Sequence, residues 1–160
     1  MRTTRIIVVI CMSALSLALF QSCEKKETAD VTKPVIHLIE PAEEDVLLIG
    51  DPNGVHFDVE LSDDVMLKSY KVNIHSNFNG HTHTAIATKV ATTDFSYNKV
   101  WSLTGQKNAK IHHHEIIIPE NATPGEYHLM VYCTDEAGNE SYVAREIVLS
   151  HDGEEYDHDH

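Results

Sequence analysis

The stretch Gly125-Glu126-Tyr127-His128-Leu129-Met130-Val131-Tyr132-Cys133, running on into Thr134-Asp135-Glu136-Ala137-Gly138-Asn139-Glu140-Ser141, decides the fold. Tyr127, Leu129, Val131 and Cys133 fall on every second position, with His128, Met130 and Tyr132 between them. Side chains of an extended chain alternate between two faces, so this period marks a strand with one buried face. The Asp135 to Asn139 segment then reads as a tight turn: Gly138 and Asn139 tolerate positive φ. Asp135 is expected to cap that turn through its own side chain.

The same period recurs upstream. Val55, Phe57, Val59 and Leu61 alternate with His56, Asp58 and Glu60, and Tyr70, Val72 and Ile74 alternate with Lys71, Asn73 and His75. Further strands are expected within Pro34 to Ile39, Phe95 to Leu103, Ile111 to Ile118 and Tyr142 to Leu149. No sustained apolar stripe of helical period interrupts them. About seven strands between residues 34 and 150, separated by Gly, Pro, Asn and Asp, predict an all-β, antiparallel two-sheet sandwich. Asp63-Asp64 could ligate a cation but reads first as a turn with solvated carboxylates, Trp101 reads as a core residue and Cys133 as a buried structural thiol.

Composition limits the partners. The 160 residues include 12 Lys+Arg against 25 Asp+Glu, a formal net charge of -13, which sets the chain against nucleic acid. Arg2 and Arg5 precede the uncharged apolar run Ile6 to Phe20, the layout of a secretory signal. That run is short of the roughly 20 residues needed to span a bilayer. It ends in Leu19-Phe20-Gln21-Ser22-Cys23, which resembles the lipobox of bacterial lipoproteins, with Cys23 the acylated first residue after cleavage. The expected organisation is a signal peptide over 1–22, a lipidated tether over 23–33, the sandwich over 34–150 and an acidic, His-rich tail over 151–160. Cys11 leaves with the signal and Cys23 carries lipid, so Cys133 has no disulfide partner.

The chain holds 12 histidines. The densest grouping is His75-Ser76-Asn77-Phe78-Asn79-Gly80-His81-Thr82-His83. His75 follows the inward residues Tyr70, Val72 and Ile74 in odd register and so faces outward. If extended, His81 and His83 share one face about 6.5 to 7 Å apart. His128 faces outward by the same parity and lies on a strand expected to neighbour that of His75. His75, His81, His83 and His128 are therefore the candidate metal ligands. In the run His112-His113-His114, Ile116 and Ile118 continue the face of His112, which places His113 with Glu115 toward solvent. His37 and His56 read as single residues on strand faces. An all-imidazole set suits Zn first and Cu second, whereas Ca and Mg take oxygen ligands.

The last hairpin, Gly125 to Leu129 with Asp135 to Asn139, resembles that of bacterial immunoglobulin-like domains. Taken with Asp63, Leu67-Lys68-Ser69-Tyr70-Lys71-Val72 and the Ile74 to His83 segment, the chain resembles a family of Bacteroidota lipoproteins known as a domain of unknown function. That resemblance implies an immunoglobulin-like fold and an exported module anchored through Cys23 to the outer membrane, with no activity attached. The expected function is a lipid-anchored cell-envelope protein that captures or buffers metal, with an outer-membrane transport protein as partner. The alternative is a non-catalytic interaction module with no metal role. No His-Glu-x-x-His motif, Gly-x-Ser-x-Gly elbow or phosphate loop supports an enzyme.

Overall fold

The computed structural model describes residues 29–78 and 91–152. These residues form six strands and no helix: β1 (Val35–Glu40), β2 (Val46–Leu48), β3 (Val55–Ser76), β4 (Tyr97–Ile116), β5 (Gly125–Asp135) and β6 (Glu140–Ser150). The expected all-β class holds. The count among the described residues is six because β3 and β4 each join two expected strands, while β2, not expected from the sequence, adds one that pairs with β6 in parallel rather than antiparallel.

At 22 residues, a straight β3 would reach about 70 Å, roughly twice the width of a domain this size. It bends instead. Its first half pairs with β1 through Val35↔Ser62 to Leu38↔Val59, and its second half pairs with β5 through Tyr70↔Cys133 to Ser76↔Tyr127. Between Ser62 and Leu67 the ladder to β4 breaks register. Asp63 holds this break: its Oδ1 accepts the backbone N–H groups of Val65 (2.9 Å) and Met66 (2.6 Å). β4 follows β3 along the opposite edge and passes through Gly105 at φ 88°. The result is a curled sheet in the order β1-β3-β5-β6-β2, with β4 paired to β3, whose halves cover one core as in a β-sandwich.

Every inward residue read from the alternation is buried: Val55, Phe57, Val59 and Leu61; Tyr70, Val72 and Ile74; Tyr127, Leu129, Val131 and Cys133. Burial pushes the Cys133 thiol up to about 12, with Asp63 and Asp135 adding to the effect, so it is protonated and inert at neutral pH. Four rings are stacked in sequence across the interior. Tyr70 lies on Trp101 (4.6 Å), Trp101 on His113 (5.2 Å) and His113 on Phe57 (4.9 Å), joining the two halves of β3 through β4. Trp101 is half-buried and packs against the core.

Tyr127 ties the start of β5 to the chain before it. Its hydroxyl donates to the Thr123 carbonyl (2.8 Å) and accepts the Phe95 N–H (3.1 Å). Tyr127→Phe keeps the ring and leaves that buried N–H without an acceptor. It is expected to destabilise the fold by about 1–3 kcal/mol, read as a lower midpoint in urea with an unchanged slope.

Candidate metal centres on the outer sheet faces

The candidate ligands fall into two described groups and one undescribed segment. His75 and His128 are direct partners in the β3–β5 ladder, and their ring centroids are 5.5 Å apart. Both are half-buried on the outer face. The His75 ring is oriented from behind. Asn73 donates its amide Nδ2 to the Tyr97 carbonyl (3.4 Å), which leaves Asn73 Oδ1 to accept from His75 Nδ1 (2.8 Å). Nδ1 therefore carries the proton, and Nε2 keeps its lone pair free for a metal. Glu146 Oε1 stands 3.8 Å from His128 Nε2. His81 and His83 lie outside the described residues, as do Cys23 and the tail from residue 153.

The second group was not expected from the sequence. On the outer face of the first half of β3, ligand atoms of His56, Asp58 and His112 lie within 4.8 Å of one another. The His56 ring is 4.8 Å from that of His112 and 5.1 Å from that of His114, and the last two are 5.5 Å apart. Three imidazoles and a carboxylate thus share one surface patch. His56 and Asp58 stand two residues apart on one strand, and Asp58 is the register partner of His112. His37 lies further along, with its Nδ1 3.8 Å from Glu60 Oε2.

A bulge explains the miss. Phe57 pairs with His113 and Val55 with Ile116, so two residues of advance on β3 meet three on β4. The extra residue reverses parity between His113 and Ile116. The expectation that His112 shares the inward face of Ile116, with His113 toward solvent, is therefore corrected: His112 and His114 are exposed, and His113 turns inward against Phe57 and Trp101. Glu115 is exposed as expected and is ion-paired with Lys99. His56, read as a solitary residue, belongs to the patch. Its outward parity was legible; the pairing with His112 was not.

His113 is held neutral. Burial pushes its pKa below the usual 6.5, with Glu115 raising it and Lys99 and the neighbouring imidazoles lowering it. Its Nδ1 accepts the Glu115 N–H (3.3 Å), and its Nε2 is buried without a partner. An unfolded imidazole takes up a proton as pH falls past 6.5, whereas the folded one resists. The stability this provides is present above that range and is lost as pH falls through it. His113→Phe keeps the stack and removes the orphan, and is expected to flatten the loss of unfolding free energy between neutral pH and about pH 5, measured by urea unfolding.

Gly54 fixes the other side of the bulge. It sits at φ +76°, and a Cβ there would lie 2.1 Å from the His114 carbonyl oxygen. Gly54→Ala is expected to cost about 1–3 kcal/mol. It should also shift the imidazole NMR signals of His56, His112 and His114 while leaving those of His75 and His128 in place.

A small curled β-sheet domain with clustered imidazoles on its outer surface is the class that this architecture defines. Over residues 21–150 the chain matches the model of a domain of unknown function, DUF4625, and it belongs to that family. No curated protein matches the chain.

Proposed function

We propose that the protein is a lipid-anchored, cell-envelope metal-binding domain that captures or buffers zinc, with copper as second choice, on its imidazole-rich outer surface. The observation that carries this reading is the approach of His56, Asp58 and His112 to within 4.8 Å at their ligand atoms, with His114 beside them. Bonds of about 2.0–2.1 Å to a tetrahedral ion need ligand atoms about 3.4 Å apart, a change of about 1 Å that side-chain rotation supplies. Imidazole with a single carboxylate is a borderline donor set, suited to Zn or Cu rather than Ca. The His75–His128 pair, with the ring of His75 set by Asn73, is the second position, and His81 and His83 remain its expected additional ligands.

Anchoring through Cys23, the outer-membrane location and a transport partner rest on the sequence: the apolar run after Arg2 and Arg5 and the box before Cys23. The immunoglobulin-like reading of the fold is supported by the Tyr127 hydroxyl on the Thr123 carbonyl, the tyrosine-corner arrangement of such sandwiches.

The alternative, an interaction module, draws on one observation. Val100, Lys71, Tyr132 and Tyr142 form a single cross-strand row over β4, β3, β5 and β6. Val100 and Tyr142 are exposed by 60% and 63%, and Lys71 Nζ lies over the Tyr132 ring.

Calorimetric titration with Zn and Cu separates the two readings. The metal reading expects a saturable heat that weakens by about 10- to 100-fold in the His56→Ala/His112→Ala double variant. Binding should fade at acid pH, because protonated imidazole cannot ligate. Absence of binding by the folded protein would leave the interaction module. Binding lost only on deletion of residues 151–160 would assign the metal to the tail.

A further inference from the structure

A second, chemically distinct group of ligands stands at the bend of β3. Carboxylate oxygens of Asp30, just before β1, of Asp63 at the bend and of Asp135 at the end of β5 lie within 4.8 Å of one another. Asp135 is completely buried. Its Oδ1 accepts the Asn139 N–H (2.7 Å) and its Oδ2 accepts the Asn139 amide (2.7 Å); that amide also reaches the Asp30 carbonyl (3.2 Å). Burial raises the Asp135 carboxyl, but these bonds, with the N–H groups of Gly138 and Ala137, more than offset it and keep the group ionised. The capping role read from the sequence is thus real for Asp135; Asp63, read as a solvated turn carboxylate, instead bonds two backbone N–H groups through Oδ1.

Asp63 Oδ2 is left over. It exposes less than 1 Å², accepts no hydrogen bond and belongs to the carboxyl group that faces Asp30 and Asp135. A sealed carboxylate oxygen among two other carboxylates is costly in desolvation and in repulsion unless a cation stands between them. Among the described residues, no ion pair joins a Lys or Arg to any of the three. Lys107 donates to the Asp64 backbone carbonyl instead (2.7 Å).

We infer that Asp30, Asp63 and Asp135 form a calcium site that staples the segment entering β1 to the bend of β3 and the end of β5. The donors are all oxygen, with neither imidazole nor thiolate among them, which selects a hard cation and separates this site from the histidine patches. Three carboxylates joined by an adaptable loop suit the larger, geometrically tolerant Ca²⁺ better than Mg²⁺, which demands near-octahedral order. Asn139 is a positioning residue, holding Asp135 and the Asp30 backbone together.

The test is calcium titration of the EGTA-stripped protein, by calorimetry and by thermal unfolding followed in the near-ultraviolet circular dichroism of Trp101. Binding in the range of extracellular modules, with Kd of about 10⁻⁴ to 10⁻³ M, should raise the melting temperature as calcium is added. Asp63→Asn and Asp30→Asn should each weaken calcium binding by about tenfold or more. In EGTA, Asp63→Asn should melt no lower than the parent, since the amide removes a repelling charge. Should Asp63→Asn fail to fold, the half-exposed Asp30→Asn carries the test alone. His56→Ala/His112→Ala should keep the full calcium response, so failure of the zinc reading leaves this one standing. A folded parent with no heat and no shift, an undiminished response in the carboxylate variants, or an equal response to Mg²⁺ would overturn the assignment.

Discussion

The bend of β3 between Ser62 and Leu67 is the constraint on which the rest of the structure depends. Without it β3 and β4 are one long two-stranded ribbon, and a ribbon cannot bury an apolar face by itself. With it, the first half faces back over the second, and Phe57, Val59 and Leu61 come to share a core with Tyr70, Val72 and Ile74. The bend is made locally, by Asp63 Oδ1 satisfying two backbone N–H groups that the broken ladder leaves unpaired. The Tyr70–Trp101–His113–Phe57 stack then fills the inside of the curve with rings contributed by both halves. Bend and stack are complementary: one supplies the hydrogen bonds the turn would lose, the other the contact area that makes turning favourable.

The same bend distributes the chemistry. Because β3 passes through both halves of the curled sheet, its outward residues serve two separate surfaces. His56 and Asp58 meet the β4 histidines on one, and His75 meets His128 on the other. The bend itself, having no outward face of this kind, carries oxygen donors only. A chain with an acidic excess of this size would gather cations loosely almost anywhere. Donor type is what distinguishes the places: imidazole, joined by the Asp58 carboxylate, on the sheet faces, and carboxylate alone at the corner. On the proposed reading, borderline and hard metals would sort by chemistry rather than compete for a single position.

Much of this was legible in the sequence, for a definite reason. Where strands pair without interruption, the side-chain period of two carries inward and outward assignments over their whole length. Tyr127 to Cys133 and Tyr70 to Ile74 were readable for that reason, and so was the meeting of His75 with His128. The period fails where a residue is inserted. Between His113 and Ile116 the bulge reverses parity, so counting back from Ile116 and Ile118 put the wrong histidines inside. Nothing in the local sequence announces that bulge; it follows from Gly54 admitting the His114 carbonyl, a contact between segments far apart in the chain. Asp63 and Asp135 failed differently. Asp135 was read as capping its own turn and Asp63 as a solvated turn carboxylate, and one oxygen of Asp63 bonds the turn's N–H groups. The other oxygen acquires its meaning only when three distant segments come together.

His113 shows why the bulge is worth its cost in lost pairing. A regular strand through His112, His113 and His114 would keep parity with Ile116 and turn His112 and His114 into the core, placing two imidazoles inward where one, half-buried, stands now. Each buried imidazole must stay neutral and find partners for both nitrogens. The inserted residue reduces the inward set to His113 alone, half-buried, whose Nδ1 accepts the Glu115 N–H while Nε2 stays unpartnered and whose ring stacks between Trp101 and Phe57. It also frees His112 and His114 for the surface beside His56. The displacement that limits polar burial inside is thus the same one that assembles the imidazole patch outside, and disturbing either side of it at Gly54 or His113 should be felt on the other.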